Sequence, residues 1–214
     1  MSLAPPARLS VVPRPMNEAL KRLIDLVGAG LGLVAGAPLL GLAAIATHLH
    51  DGGSPWFAQV RVGQDGRRFV LYKLRTMVED AEHQKAKLRS RNEVHGVAFK
   101  IEQDPRVTPL GHWLRRTSLD ELPQLLNVLR GEMSLVGPRP ALPEEVAAYT
   151  PEQRARLMVK PGLTGLWQVS GRAALPFEQW IPLDLQYVTQ RSLTLDLWLL
   201  MRTVPAVLIG RGAF

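Results

Sequence analysis

The chain has 214 residues, enough to bury a real core, and no cysteine, which excludes disulfides, thiolate metal sites and cysteine nucleophiles. Lys and Arg number 26 against 19 Asp and Glu, and the resulting charge of +7 favours an anionic partner: nucleic acid, a phospholipid surface or a phosphorylated substrate. Charge alone does not choose among the three.

Residues 1–16 form an extended lead, with four prolines in its first fifteen positions and no helical pattern. From Leu26 to Thr47 there is no charge for 22 residues, long enough to cross a bilayer as a helix, and the membrane helix is set at 17–50. Pro38 removes a helical hydrogen bond in its second half and predicts a kink, while five glycines and six alanines permit close backbone packing. Basic residues flank both ends: Arg14, Lys21 and Arg22 before, Arg61, Arg67 and Arg68 after. Positive flanks mark the cytoplasmic side, so with both ends inside the segment must enter and return as a re-entrant helix hairpin. A bitopic helix with a tolerated proline fits the same composition.

Residues 51–214 make the remaining domain. Phe57, Val60 and Val62, then Phe69, Leu71 and Leu74, flank the turn GQDG and predict a β-hairpin. It ends in Lys73 and Arg75, which can clamp an anion or simply be solvated. Residues 79–94 are highly charged and read as a solvated helix or loop. A helix over Pro151–Met158, capped by Thr150, leads into KPGLTGLWQVSGR, whose glycines and Arg172 suit a loop that presses backbone against a ligand. The final apolar stretch, Leu193–Ile209, is interrupted by Asp196, Arg202 and Pro205. It reads as an amphipathic interfacial helix with Trp198 at headgroup level, or as a buried core helix.

The organising stretch is Arg115–Pro140, RRTSLDELPQLLNVLRGEMSLVGPRP. Leu119, Leu122, Leu125, Leu126 and Leu129 recur at helical spacing, which predicts one buried face. Two start signals compete: Ser118 with Glu121 fits a capping box, whereas Pro123 is best tolerated in a first turn that begins nearer Asp120. Either way Asp120 and Glu121 sit at a helix N-terminus, where the dipole favours anions. They are either ordinary first-turn acids or working carboxylates. Gly137, Pro138, Arg139 and Pro140 form a rigid turn that aims Arg139, a guanidinium suited to bidentate phosphate contact. His48 and His50, two apart, face away from each other and do not assemble a metal site.

Taken together, KLRTM (Lys73–Met77), DPRVTPLG, the Arg115–Pro140 stretch and KPGLTGLWQVSGR resemble the bacterial sugar transferase family. These are the monotopic polyprenyl-phosphate phosphoglycosyl transferases that begin exopolysaccharide, O-antigen and glycoprotein glycan assembly. The resemblance covers residues 17–214 and is to the catalytic module, without the N-terminal helix bundle of longer members. It implies a phosphotransferase on the cytoplasmic face of the bacterial inner membrane. Such an enzyme moves sugar-1-phosphate from a UDP-sugar to undecaprenyl phosphate and releases UMP. By the same resemblance Asp120 attacks phosphorus to form an acyl-phosphate, with Glu121 beside it and Mg²⁺ on the diphosphate, where Asp120 is its protein ligand.

Lys73, Arg75, Arg116, Arg139 and Arg172 are the expected phosphate-binding cations. A carboxylate is a fitting covalent nucleophile and a hard Mg²⁺ ligand, and phosphoryl transfer needs cations around developing charge. Adjacent acids suit a glycosidase poorly, since its two carboxyls flank one bond about 5–9.5 Å apart. Two departures stand out: Ala37 precedes Pro38 where the family usually has serine, and the closing GRGAF resembles hexose-specific members, favouring glucose or galactose. The fold expected is α+β and mainly helical, with a homodimer left open. The alternative is a non-catalytic membrane-anchored binding module of a polysaccharide assembly complex. Nucleic acid is set aside, because the aromatics are not interleaved with basic residues as a stacking platform.

Overall fold

A computed structural model describes residues 12–93, 99, 101, 103–171 and 179–209. In chain order the elements are α1 (Glu18–Asp51), the strands β1 (Trp56–Val62) and β2 (Arg68–Leu74), then α2 (Ala81–Lys87), α3 (Pro109–Thr117) and α4 (Gln124–Arg130). The strand β3 (Ser134–Val136), the helix α5 (Pro143–Ala147), the strand β4 (Gly162–Thr164) and the helices α6 (Leu166–Ser170), α7 (Trp180–Gln190) and α8 (Leu193–Ile209) follow. The chain is mainly helical, as expected. β1 and β2 form the antiparallel hairpin, with Trp56 opposite Leu74 and Val62 opposite Arg68, and β3 pairs with β4 in parallel.

Asn17 opens α1 by accepting the Leu20 amide at 3.0 Å, and Gly52 closes it at φ 75°, a conformation glycine enters without strain. The 34 residues stay helical through Pro38, a length of about 51 Å at 1.5 Å per residue. The structure does not show the expected hairpin, because the helix is continuous at the proline. Gly28, Gly32 and Gly36 recur every fourth position and receive Leu135, Leu125 and Leu122; a methyl group at each would meet those side chains at 2.6, 3.0 and 3.1 Å. Small residues thus bring the helix axis close to α4 and β3. Elsewhere α1 is apolar and bare: Leu31, Val34, Leu42 and Leu49 are 66–78% exposed. Its length and composition suffice to cross a membrane, and this exposed apolar surface suggests membrane association.

The root of α1 is polar and belongs to the core. Lys21 Nζ donates to Asp196 Oδ2 on α8 at 2.6 Å and to the Val136 carbonyl at 3.1 Å, while Tyr187 on α7 donates to Asp196 Oδ1 at 2.8 Å. Asp25 accepts from the Ser134 hydroxyl and the Leu135 amide, each at 2.9 Å. Buried ionic groups persist where partners satisfy them, and these tie three helices to β3. Asp196, expected as an interruption in an interfacial helix, is buried, whereas Leu197, Trp198, Met201 and Val204 on the same helix are exposed. α8 therefore has one face in the core and one apolar face outside.

Three local expectations need correcting. The Arg115–Pro140 stretch is not one helix from Ser118: α3 ends at Thr117, Ser118 turns left-handed at φ 57°, and Leu119–Glu121 is a 3-10 turn before Pro123 caps α4. Ser118 makes no capping bond. Proline decides the matter, because a cap position demands no amide. The segment after Thr150 is 3-10 over Gln153–Met158, although Thr150 and Gln153 do exchange reciprocal side-chain-to-amide bonds of 3.3 and 2.9 Å. The glycines of 162–165 press not on open space but on the loop after β3: a methyl on Gly162 would lie 2.0 Å from the Gly137 nitrogen. Two turns read separately in the sequence are one interlocked piece.

Candidate active site

On β2 the residues Phe69 and Leu71 point into the core, and the two-residue strand period puts Lys73 on the same face. Its ammonium there meets both acids of the 3-10 turn: Nζ lies 2.7 Å from Glu121 Oε1 and 3.8 Å from Asp120 Oδ2. The αL residue Ser118 turns the chain so that Asp120 lies inward, 5% exposed, while the Glu121 side chain keeps 38% of its surface. Burial pushes the Asp120 carboxyl up to about 6; Lys73 and Arg115 pull the other way and Glu121 adds to the rise. Asp120 still ionises near neutral pH, but at a cost that a solvated aspartate does not bear. A buried acid with a raised value and a specific cation beside it is a functional-site candidate.

The arginine of α3 that faces Asp120 is Arg115. Gly111 and Leu114 are the buried positions of α3, and Arg115, one turn after Gly111, follows that face; Arg116 is exposed. Arg115 Nε donates to Thr76 Oγ1 at 3.0 Å, and burial lowers its guanidinium below the usual range while Asp120 holds it up. Gly111 makes this contact geometry available, since a methyl there would stand 2.0 Å from the Thr76 carbonyl oxygen. Arg75 is engaged elsewhere, in a bidentate pair with Asp51 at 2.5 and 2.6 Å that ties the hairpin exit to the end of α1.

Arg139 stands on the turn after β3, paired with Glu145 at 3.4 Å and 6.0 Å from the Trp180 ring. Its peptide is held by Arg156, which donates to the Arg139 carbonyl at 2.9 Å and is itself bound to the buried Asp184. Arg139, Glu145 and Arg156, with Tyr149 and the stacked pair Trp167 and Trp180, 4.7 Å between centroids, line a small cavity. Arg61 links the two groups of charge. It sits at a buried position of β1, donates to the Pro140 carbonyl at 3.0 Å, and lies within electrostatic range of both Glu121 and Arg139. Burial first, and Arg139 second, bring its guanidinium down to about 9.

The structure thus brings Lys73, Asp120 and Glu121 together and sets Arg139 on an adjoining loop, bridged by Arg61. Arg75 and Arg116 are not part of the group around Asp120, and Arg172 lies outside the described residues. The sequence reading missed Arg61 and Arg115. The signal for Arg61 was the alternation Phe57, Gln59, Arg61, which the burial of β1 follows. For Arg115 it was the four-residue step from Gly111.

Among the described residues no group of three or more histidines or acids is placed to hold a metal. A site that offers one or two carboxylates still fits Mg²⁺, which ordinarily completes its octahedron with water and substrate phosphate.

A bare apolar helix, long enough to cross a membrane, is rooted in a mainly helical body that sets an Asp-Glu pair against a lysine and buried arginines. The chain belongs to the bacterial sugar transferase family, whose profile matches residues 16–210. It is 44% identical over 194 residues to the galactosyl transferase CpsE of Streptococcus agalactiae, covering 90% of this chain and 43% of that one. It is 40% identical over 205 residues to the exopolysaccharide production protein ExoY of Sinorhizobium fredii, covering 94% and 91%. A UDP-glucose:undecaprenyl-phosphate glucose-1-phosphate transferase of Caulobacter vibrioides is 42% identical over 211 residues, covering 95% and 75%. The chain therefore spans less than half of the streptococcal relative and most of the other two.

Proposed function

We propose that this protein transfers hexose-1-phosphate from a UDP-sugar to undecaprenyl phosphate in two displacements. The observation that carries the proposal is Asp120: a buried carboxylate, held at about 6 beside Lys73 and Arg115. A carboxylate kept ionised by fixed cations, with little water around it, is an activated nucleophile. One of its oxygens bonds to the phosphorus that bears the sugar as the bond from that phosphorus to the bridging oxygen breaks. UMP departs with the bridging oxygen and its electron pair. An oxygen of the lipid phosphate then bonds to the same phosphorus, and the aspartyl oxygen leaves as a free carboxylate.

Lys73 and Arg115 offset charge at the nucleophile, and Arg139 and Arg61 offset charge on the diphosphate. Glu121 holds Lys73 in register through its 2.7 Å contact. Asp120, with Glu121 beside it, would hold Mg²⁺ on the diphosphate, where the ion supplies Lewis-acid charge compensation. The names of two relatives point to galactose or glucose as the sugar. We assign the protein to the cytoplasmic face of the bacterial inner membrane. In this reading α1 enters the bilayer and bends there at Pro38, so that both its ends remain inside, as the basic flanks favour.

The test is to incubate the protein with labelled UDP-glucose or UDP-galactose and Mg²⁺ without lipid acceptor, then seek hexose phosphate on Asp120 by mass spectrometry. The adduct and stoichiometric UMP are expected. Turnover that survives Asp120→Asn would remove the covalent role.

A further inference from the structure

Asn127 on α4 is fully buried, and its carboxamide is spent on the open edge of β2. Nδ2 donates to the Val70 carbonyl at 2.7 Å and to Glu132 Oε2 at 2.7 Å, while Oδ1 accepts the Tyr72 amide at 3.3 Å. The backbone carbonyl of Asn127 also accepts the Glu132 and Met133 amides at 3.0 and 3.2 Å. The carbonyl of one strand residue and the amide two positions on face the same edge of a strand. An amide side chain that takes both at once reproduces the pairing a third strand would make. Leucine or valine would satisfy the packing here but not that edge.

Lys73 is the next residue after Tyr72, and it is the group on β2 that meets Asp120 and Glu121. Asp120 and Glu121 are carried by the turn that runs directly into α4. A slip of one residue along β2 would send Lys73 to the opposite face of the hairpin.

We propose that Asn127 is a positioning residue for the transfer reaction: by pinning β2 to α4 at Val70 and Tyr72, it fixes the Lys73 ammonium against the Asp120 and Glu121 carboxylates. The inference rests on the reading of Asp120 as the nucleophile. Asn127 touches neither substrate nor reacting atoms; it acts through the strand. The charged groups that face Asp120 are Lys73 from β2, Arg115 from α3 and Glu121 from its own turn, and Arg61 of β1 faces Glu121. Of these only Lys73 lies on the strand whose free edge Asn127 holds.

The experiment is a cycle of Asn127→Ala and Lys73→Met on the full chain in detergent, with kcat and KM for UMP release measured separately and folding checked by thermal melting. Asn127→Ala is expected to lower kcat at least tenfold and to change KM less than twofold, because the displaced ammonium serves the reacting carboxylate rather than donor binding. In the Lys73→Met background the same change is expected to cost less than twofold, since the two residues act as one unit. A purely structural role would lower the melting point and add its loss equally in both backgrounds, which overturns the proposal. Should Asn127→Ala not fold, Asn127→Ser carries the same readouts, because its shorter side chain does not span Val70 and Tyr72 as the carboxamide does. Full turnover in Asp120→Asn would sink the nucleophile reading itself. Equal losses in both backgrounds, with Asp120 essential, sink only this inference.

Discussion

Asp120→Asn is expected to make the protein more stable while it abolishes donor cleavage. The folded chain holds the Asp120 carboxyl at about 6, whereas its ordinary value is 3.8. Between those values the folded state binds a proton that the unfolded state has already released, so stability falls as pH rises through that window and stays low above it. At pH 7 the ionised carboxylate then costs the fold about 3 kcal/mol relative to a neutral side chain of the same shape, at 1.36 kcal/mol per pH unit. Asparagine is that neutral side chain. For a chain of this size the gain corresponds to about 6–12 °C in melting midpoint.

The advantage should shrink to roughly half of that at pH 5, where the wild-type acid is mostly protonated. Paired thermal melts of wild type and Asp120→Asn in one detergent at pH 5 and pH 7 measure both quantities. A variant no more stable than wild type at pH 7, or a gain that does not shrink at pH 5, would refute the reasoning that burial without full compensation is what activates this acid.

Three further perturbations follow from the packing. Lys21→Met leaves Asp196 buried without its ammonium and should cost about 3–5 kcal/mol by melting, most of it recovered in Lys21→Met with Asp196→Leu; a loss below 1 kcal/mol argues against the tie. Gly111→Ala drives a methyl group onto the Thr76 carbonyl and should cost about 1–3 kcal/mol, with UMP release falling as Arg115 shifts; unchanged activity in a folded variant removes Arg115 from the site. Single cysteines before Asn17 and after Asp51 should resist a membrane-impermeant reagent applied outside whole cells, while Pro38→Ala should expose one of them; labelling of either end in the wild-type background contradicts the proposed topology.

The elements carried by periodicity were the legible ones. The uncharged run became α1 and the alternation on both sides of GQDG became the β1–β2 hairpin, whereas of the leucines at 119–129 Leu125 is buried, Leu119, Leu122 and Leu129 are half-buried and Leu126 is exposed. What stayed hidden depended on distant partners. Nothing local to Asp196 says that Lys21, far away in sequence, will neutralise it, so an acid in an apolar stretch looked like an interruption rather than a core contact. Ser118 illustrates the same limit at short range: its spacing from Glu121 matched a capping box, but the left-handed turn that ends α3 took the residue for another purpose. At the candidate site, Lys73, Asp120, Glu121 and Arg139 stood out in the sequence as candidates because each sits in a motif of distinctive spelling. Arg61 and Arg115 were passed over because a lone arginine beside other arginines carries no mark of which one faces inward until helix and strand phases are fixed.

The polar root of α1 has a mechanical consequence. Lys21 and Asp25 grip β3 at Val136, Ser134 and Leu135, one residue short of the turn that carries Arg139. The apolar length beyond Leu26 therefore cannot tilt or rise independently of that turn. With α1 seated in a bilayer as proposed, the depth that the helix adopts would pass to the guanidinium through these bonds. A change in lipid thickness should accordingly be felt as an altered height of the reaction centre above the surface, so activity in bilayers of graded acyl length would serve as a ruler for how far the protein sinks.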